Sequence, residues 1–336
     1  MGLDDFLKRL PPPETAPPYR VLAELSGISD GDGRRLAEVW AEWEPHVLRR
    51  LLRRLTALAD ENVLYEFEAV FKAGLTAGDP AARAISVGGL HESSDRSVAR
   101  RLARLLAEDP AEEVRVAAAI GLARYAAMAC EGKMISRDYD RIRDALMLAI
   151  ERPGETREVR RRSIEAIAVY PAQVTERYIV DAYQSGEALL QQSALFAMGR
   201  SGLRRWMPEV TTSLASGRAE IRYEAVTALG LIGEESDARL LVGALQDDDI
   251  QVRASALVAL GRIGGQSALR IIRRELNSRI PAIAEAAREA LDEMGAGDSL
   301  LAGQPGVPGI RPDDGPDAEP GGTGVTHSNG NGSSRR

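Results

Sequence analysis

The amino-acid sequence predicts an all-α fold, an α-solenoid built from stacked antiparallel helix pairs. One apolar position recurs every 31 residues, from Leu190 through Ile221 and Val252 to Ile283, and small residues follow it each time. A second apolar column keeps the same step: Ile179, Val210, Leu241 and Ile272. A fixed period of this length is typical of repeat proteins in which every unit adds one helical hairpin.

Seven occurrences of this pattern organise the chain after residue 79. The consensus is Val-Arg-x-x-Ala-x-x-Ala-Leu-Gly, and the gaps between successive anchors are 32, 45, 31, 31, 31 and 31 residues. The anchors at the Val position are Ala82, Val114, Val159, Leu190, Ile221, Val252 and Ile283. Offsets of 0, 4, 7 and 8 from an anchor share one helix face, because each residue turns the helix by about 100°. The gap of 45 predicts a repeat with a 14-residue insertion near residues 126–138, between its two helices.

The predicted domain organisation has four parts. Residues 1–20 form a Pro-containing segment, and residues 21–78 form a helical N-terminal cap. Residues 79–295 hold the repeats, and residues 296–336 form a disordered tail rich in Gly and Pro. A cap is expected because the first repeat has no neighbour to cover its apolar face. The tail has almost no apolar periodicity, so it offers no face for packing.

Local signals predict where helices begin and end. In the N-terminal part, helices are expected near residues 4–10, 22–25, 34–43, 46–59 and 62–75. The Asp-Pro pairs at 79–80 and 109–110 each place an N-cap residue before a proline in the first turn. Gly199, Gly230 and Gly261 stand where a left-handed C-terminal cap is expected.

Composition disfavours several classes of partner. The net charge of −7 and the isoelectric point near 5.3 give no overall attraction to nucleic acid or acidic lipid. Cys130 is the only cysteine, so no intrachain disulfide forms, and we expect it to be a small buried residue. No apolar run is long enough to cross a membrane, and the N-terminus lacks the apolar core of a signal peptide. The expected location is the cytoplasm.

Motifs for catalysis are missing from the sequence. It contains no Gly-rich phosphate loop, no nucleophile elbow and no zinc-ligand spacing. Its histidines are His46, His91 and His327. We therefore assign no catalytic residue, no cofactor and no metal ligand.

The repeated units resemble HEAT repeats, in particular the short type first described in phycobilisome-lyase-like proteins. The resemblance rests on four Val-Arg or Ile-Arg pairs, at residues 114–115, 159–160, 221–222 and 252–253, each followed by small residues. It covers about residues 79–295 and implies a superhelix of about seven repeats. It also implies that the Val-Arg helix lines the concave side and that its Arg pairs with an acidic residue near the preceding turn. That ladder would be Arg83, Arg115, Arg160, Arg222 and Arg253, interrupted by Gln191 and Ala284.

The concave face implied by this resemblance provides the candidate binding site. Offsets of 2, 3 and 6 from each anchor lie opposite the core stripe of the helix. In the middle repeats these positions are polar and aromatic, and the candidate partner-binding residues are Arg161, Arg162, Glu165, Gln192, Phe196, Tyr223 and Glu224. The two aromatic residues either form a contact for a partner or are buried by the curvature of the superhelix. In the early repeats Ile85, Val116 and Ile120 make the same face apolar, and the N-terminal segment is one candidate to cover it.

The favoured function is that of a non-enzymatic scaffold or adaptor that binds a protein partner on its concave face. The sequence makes no prediction of the oligomeric state. The alternative is a phycobilisome-lyase-like enzyme or chromophore chaperone, so enzymatic activity also stays open. A third hypothesis is a deoxyhypusine-hydroxylase-like or nucleic-acid-binding HEAT protein. His91-Glu92 resembles the His-Glu pairs that bind iron in deoxyhypusine hydroxylases, but the equivalent pairs at 123–124, 168–169 and 199–200 lack both residue types. A di-iron centre is therefore disfavoured.

Overall fold

The structure, a computed structural model, describes residues 19–302 of the chain, with side chains for residues 20–295. Every regular element in this range is a helix. Four helices precede the repeats: α1 Tyr19–Ala23, α2 Asp30–Trp40, α3 Pro45–Glu61 and α4 Glu68–Gly74. Of the described residues, 19–296 belong to one compact unit, and residues 297–302, the end of the last helix, fall in a second.

Each repeat has a helix that carries the anchor, called the inner helix below, and an element that follows it, called the outer element. The inner helices are α5 Pro80–Gly88, α7 Glu112–Cys130, α9 Arg157–Ile167, α11 Ala188–Arg200, α13 Ala219–Ile232, α14 Ile250–Ile263 and α16 Pro281–Ala302. The outer helices are α6 Arg96–Glu108, α8 Ser136–Glu151, α10 Ala172–Gln184, α12 Met207–Ser213 and α15 Gly265–Glu275. Short 3-10 helices at Glu235–Leu241 and Ala244–Gln246 replace the outer helix between α13 and α14.

The core of the array lies between the two layers of helices. All seven anchors are buried, and so are the four residues of the second apolar column. Successive inner helices pack against each other and against the outer elements beside them. The predicted α-solenoid of helix pairs is confirmed. Truncating one of these buried leucines to alanine should cost about 2–5 kcal/mol of stability.

The N-terminal part differs from the prediction in two helices. Helix α2 begins at Asp30 rather than near residue 34, because the Ser29 hydroxyl accepts a hydrogen bond from the backbone N of Asp32 (3.1 Å) and caps the helix there. Helix α4 begins only at Glu68, and residues 62–67 form a loop. The helix expected at residues 4–10 lies outside the described residues.

The insertion lengthens helices rather than adding a long loop. Helix α7 has 19 residues and α8 has 16, whereas α9 and α10 of the next repeat have 11 and 13. Residues 131–135 connect the two long helices, so most of residues 126–138 is helical. Cys130 ends α7 and is exposed, so the expectation that it is buried is wrong.

The three glycines of the repeat do not form left-handed caps, and that prediction is wrong. Gly199, Gly230 and Gly261 are buried within their inner helices, and none of them has a positive φ. A Cβ added at Gly230 would lie 2.7 Å from the Cα of Ala259, and one at Gly199 would lie 2.9 Å from the Cα of Ala228. The glycines therefore let neighbouring inner helices approach each other more closely than a side chain would allow.

The arginine ladder exists, but it bridges repeats in the direction opposite to the expected one. Arg83 donates through Nε and Nη2 to both carboxylate oxygens of Asp109, at 2.8 Å each, and through Nη1 to the carbonyl of Ala77 in its own preceding turn. The same arrangement joins Arg115 to Glu155 and Arg222 to Asp247. The carboxylate thus comes from the turn before the next inner helix. Asp109 serves this purpose instead of capping α7, whose N-cap position is held by Ala111.

The ladder is incomplete in the middle and at the end of the array. Arg160 donates to the backbone carbonyls of Ile150 and Arg152 (3.1 and 3.4 Å), and no carboxylate of the described residues pairs with it. The Nε of Arg253 is buried without a hydrogen-bond partner among the described residues. The boundary between α9 and α11 therefore lacks the bidentate bridge found elsewhere.

Candidate partner-binding surface

A charged network organises the exposed side of helix α9. Arg161 donates to Glu158 through Nε (2.5 Å) and Nη2 (2.8 Å) and to Glu165 through Nη1 (3.1 Å). Arg162 donates to the same two carboxylates, at 3.1 and 2.9 Å. These residues are spaced by three or four positions, so one helix face carries all of them. The hydrogen bond from Arg161 is the largest cause that lowers the pKa of Glu158 below its usual value.

The network extends from α9 to the next inner helix. The hydroxyl of Ser193 on α11 donates to Oε1 of Glu165 at 2.6 Å, and Ser193 is itself buried. Arg161 is largely covered, with 14 % of its side chain exposed, whereas Arg162 is 32 % exposed. The two arginines are therefore held in place by carboxylates of their own helix, and only Arg162 presents much of its surface to solvent.

Glu224 on α13 has a different environment from the other acidic residues of this surface. It is half-buried, and no described group hydrogen-bonds or ion-pairs with its carboxyl. Burial and the neighbouring Glu165 carboxylate raise the pKa of Glu224 to about 7, and the charge of Arg161 offsets only part of this effect. Near neutral pH this carboxyl gains or loses a proton with small changes in its surroundings.

The two aromatic candidates are exposed, so the curvature of the superhelix does not bury them. Phe196 on α11 is 37 % exposed and Tyr223 on α13 is 40 % exposed. The register of the repeat places offset 6 of one inner helix beside offset 3 of the next, as the hydrogen bonds from Ser193 to Glu165 and between Thr227 and Ser255 (3.1 Å) demonstrate.

This register assigns Phe196 to the neighbourhood of Glu224 on the next inner helix. The backbone of α13 then carries Tyr223 directly before Glu224. The rings of Phe196 and Tyr223 therefore face solvent beside the carboxyl of Glu224, which has no hydrogen-bond or ion-pair partner among the described residues. Gln192, the remaining candidate, is half-buried on α11. The four residues Gln192, Phe196, Tyr223 and Glu224, together with Arg161, Arg162 and Glu165, are called the inner surface below.

At the two ends of the array, the same face carries side chains of other types. Ile120 on α7 is 51 % exposed, and Ile85 and Val116 are half-buried, so the N-terminal stretch is apolar. Glu285 and Glu289 on α16 are exposed, so the C-terminal stretch is acidic. The prediction that the N-terminal segment covers the apolar stretch concerns residues outside the described range.

The ring of Trp206 is buried by packing between the helices and is not part of an exposed surface. Trp206 is 1 % exposed, and the guanidinium of Arg205 lies 4.8 Å from its ring centroid. The exposed ring of His91 lies 3.1 Å from the carbonyl oxygen of Gly88 through Nδ1 and 3.9 Å from the Glu92 carboxylate through Nε2. Among the described residues there is no group of three or more His, Cys, Asp and Glu side chains placed to hold a metal ion. Within the same range, no helix has the length and apolar character needed to span a membrane.

The fold and the repeated inner face define the class of the protein as an α-solenoid of helical hairpins. Residues 176–256, which run from α10 to α14, match the family model described as HEAT repeats. This match supports, for that part of the chain, the resemblance to HEAT repeats that the Val-Arg pattern indicates.

Several solved structures are similar to this chain. Kap95p, in a structure described by its effect on the switch loops of RanGDP, is 12% identical with a TM-score of 0.50, and the match covers 88% of this chain and 46% of Kap95p. YibA of Escherichia coli is 15% identical with a TM-score of 0.46, over 84% of this chain and 98% of YibA. A chain of the CpcE–CpcF complex of phycocyanin lyase from Nostoc is 18% identical with a TM-score of 0.45, over 68% of this chain and 94% of its own length. The sequence has no significant match among curated proteins. At 12% identity the similarity to Kap95p concerns the fold alone.

Sequence reasoning missed one residue that organises the surface. Glu158 binds both arginines, and its position three and four residues before them is the usual spacing of helical ion pairs. The spacing in the sequence was therefore sufficient to include it.

Proposed function

We propose that this protein is a non-enzymatic adaptor of the cytoplasm that binds a protein partner on the inner surface. The observation that carries the proposal is the pair of exposed aromatic rings, Phe196 and Tyr223, on adjacent inner helices. Aromatic residues are enriched among those that dominate binding energy in protein interfaces. The proposed scaffold comprises the repeats of residues 79–295, with residues 21–78 as the cap.

The partner segment that fits the inner surface is apolar with at least one basic residue. A ring or aliphatic side chain of the partner would pack on Phe196 and Tyr223. A Lys or Arg of the partner would reach the carboxyl of Glu224, which has no other partner among the described residues. Glu165 adds negative charge at the same place, although its oxygens already accept from Arg161, Arg162 and Ser193.

The charged groups of the inner surface are held in fixed positions. This favours a role in partner binding over that of a face that contacts only solvent. Arg161, Glu158 and Glu165 hold each other through several charge-assisted hydrogen bonds, so little side-chain entropy is lost when a partner docks. The same ion pairs also leave the arginines little capacity for a new acidic partner. We therefore assign most of the binding energy to the aromatic pair.

A double variant, Phe196→Ala with Tyr223→Ala, tests the proposal. The matched control is Leu240→Ala with Val242→Ala, which removes similarly exposed apolar side chains at and directly after the end of the 3-10 helix Glu235–Leu241. Proteins bound to wild type in native cells are identified by cross-linking and mass spectrometry, and direct binding of each purified candidate is then measured by calorimetry. A partner should bind wild type and the control alike and bind the aromatic variant at least about tenfold more weakly, because an interface aromatic contributes about 2 kcal/mol or more. Equal affinity for all three forms would refute the proposed surface.

The phycobilisome-lyase-like alternative stays a prediction from the sequence. Its direct test is to add a bilin to the purified protein and to record the absorbance spectrum after gel filtration. Co-elution of the chromophore, together with a protein that captures no partner, would replace the adaptor proposal with this alternative.

A further inference from the structure

The outer helices α6 and α8 enclose a basic cleft that the inner surface does not involve. It has a volume of 540 Å³. Three small residues from the two helices, Ala103, Ala107 and Ala145, line the cleft. Its charged lining residues are Arg100, Arg101, Arg104, Glu108 and Arg141. Four guanidinium groups thus face one carboxylate in a chain whose net charge is −7.

Three of these arginines lack an ion-pair partner within the part of the chain that the structure describes. No described carboxylate pairs with Arg100, Arg101 or Arg104, and Arg100 and Arg104 are exposed. The helix offers them no acid at the favourable spacing except Glu108, four residues after Arg104. Their charges are therefore available to a ligand.

The fourth arginine shares a carboxylate that is already in use. Arg141 approaches Asp138 at 3.3 Å, and Asp138 is buried with 2 % of its side chain exposed. Arg96 already binds the same carboxylate through Nε at 2.7 Å and Nη2 at 2.6 Å. One carboxylate cannot neutralise two guanidinium groups, so Arg141 retains positive charge directed at the cleft it lines.

We propose that this cleft binds a phosphate monoester carried by a phosphoserine or phosphothreonine of a protein partner. A phosphate monoester carries a charge of about −1.5 to −2 near neutral pH and has three acceptor oxygens. Guanidinium groups form bidentate hydrogen bonds to such oxygens, which is why arginine clusters are typical of phosphopeptide recognition. Arg100, Arg101 and Arg104 from one wall and Arg141 from the other supply donors from two directions.

The lining distinguishes this ligand from other polyanions. No aromatic residue lines the cleft, so nucleic-acid bases have no ring to stack on. No large apolar side chain lines it either, and insertion into a lipid surface needs one. A cleft confined to two helices, in a chain of net negative charge, suits a short anionic group better than a long polyphosphate backbone.

This inference is independent of the inner surface, because the cleft lies on the outer layer of helices and shares no residue with it. An adaptor with both sites would hold one partner segment on its inner helices and a phosphorylated segment on its outer helices. Either proposal can fail while the other stands.

The test is a fluorescence-polarisation titration of the full chain with a short labelled peptide that carries two adjacent phosphoserines, in about 150 mM salt. The comparison probes are the unphosphorylated peptide, the peptide with two glutamates, inorganic phosphate and single-stranded DNA. The cleft variant combines Arg100→Gln, Arg101→Gln and Arg104→Gln. The matched control, with the same change in charge on the exposed face of outer helix α15, combines Arg270→Gln, Arg273→Gln and Arg274→Gln. Glutamine retains high helix propensity, and circular dichroism checks that each variant is folded.

We expect wild type and the control to bind the phosphopeptide within about twofold of each other and the cleft variant to bind at least about tenfold more weakly, because it loses three guanidinium groups that donate charge-assisted hydrogen bonds. If the triple variant does not fold, the single change Arg104→Glu at an exposed position gives the same comparison. The proposal is overturned if wild type does not bind the phosphopeptide or if the cleft variant and the control lose affinity equally. Binding of the glutamate peptide, DNA or inorganic phosphate as tightly as the phosphopeptide would also overturn it.

Discussion

Replacement of Glu224 by glutamine should make the stability of the protein less dependent on pH. The pKa of Glu224 is about 7 in the folded protein, against the ordinary glutamate value of 4.5 that applies to the unfolded chain. The folded state therefore binds this proton more tightly than the unfolded state does. It follows that this carboxyl destabilises the fold once it is charged. Its own contribution to the free energy of unfolding is most favourable below pH 4.5, falls between pH 4.5 and 7, and is constant above pH 7.

The size of the effect follows from the difference between the two pKa values. A difference between 4.5 and about 7 corresponds to at most about 3.5 kcal/mol, at about 1.4 kcal/mol for each pH unit. Glu224 is only half-buried, so solvent screening reduces this to about 1–2 kcal/mol. Glutamine has the same shape and carries no charge, so the Glu224→Gln variant lacks this loss of stability.

The assay is urea unfolding of wild type and variant, followed by circular dichroism at pH 5, 6, 7 and 8. The stability of Glu224→Gln relative to wild type should rise by about 1–2 kcal/mol between pH 5 and 8. The control is Glu285→Gln, which removes an exposed acid from the last inner helix. A Glu224→Gln advantage that does not change with pH would refute the assigned environment.

Two further predictions concern the contacts between repeats. Gly230→Ala should destabilise the protein by about 1–3 kcal/mol, because the new Cβ would lie 2.7 Å from Ala259, whereas Gly243→Ala meets no atom within 4 Å and should change stability little. Equal urea midpoints for these two variants would contradict the close-approach role. Asp247→Asn should cost about 2–4 kcal/mol because it leaves the partly buried Arg222 without its charged partner, whereas Glu187→Gln at the exposed pair with Arg157 should cost less than about 1 kcal/mol. Similar losses for both would mean that the buried bridge contributes no more than a surface ion pair.

The period of the sequence was sufficient to predict the architecture because burial follows it strictly. Each anchor, from Ala82 to Ile283, lies in the core, as does the column that begins with Ile179. Periodicity could not tell a left-handed cap from a close helix crossing, since both place a glycine near the end of the helix, as at Gly230. It also could not detect that residues 62–67 form a loop, because Leu64 and its neighbours continue an apolar pattern while remaining exposed.

The candidate site was predictable only in its residue types and their faces. The sequence placed Phe196 and Tyr223 on the inner helices, but their exposure depends on how far the following helix covers them, which a single repeat does not determine. The basic cleft was missed for a related reason. Arg100 and Arg104 have the spacing of an ordinary solvated helix face, and only the placement of Arg141 on the next outer helix brings the charges together.

Because the arginine ladder has a gap between α9 and α11, the charged residues of the inner surface have a second, structural role. The boundary between α9 and α11 has no bidentate bridge, and the exposed pair of Arg157 with Glu187 contributes little there. The hydrogen bond from Ser193 to Glu165 crosses the same boundary, and Arg161 holds Glu165 in position. These charged residues therefore join two repeats in addition to any contact they make with a partner. Loss of binding in an Arg161 variant would not separate the two roles. The aromatic pair is free of that second role because its rings face solvent, and it is the sharper probe of partner recognition.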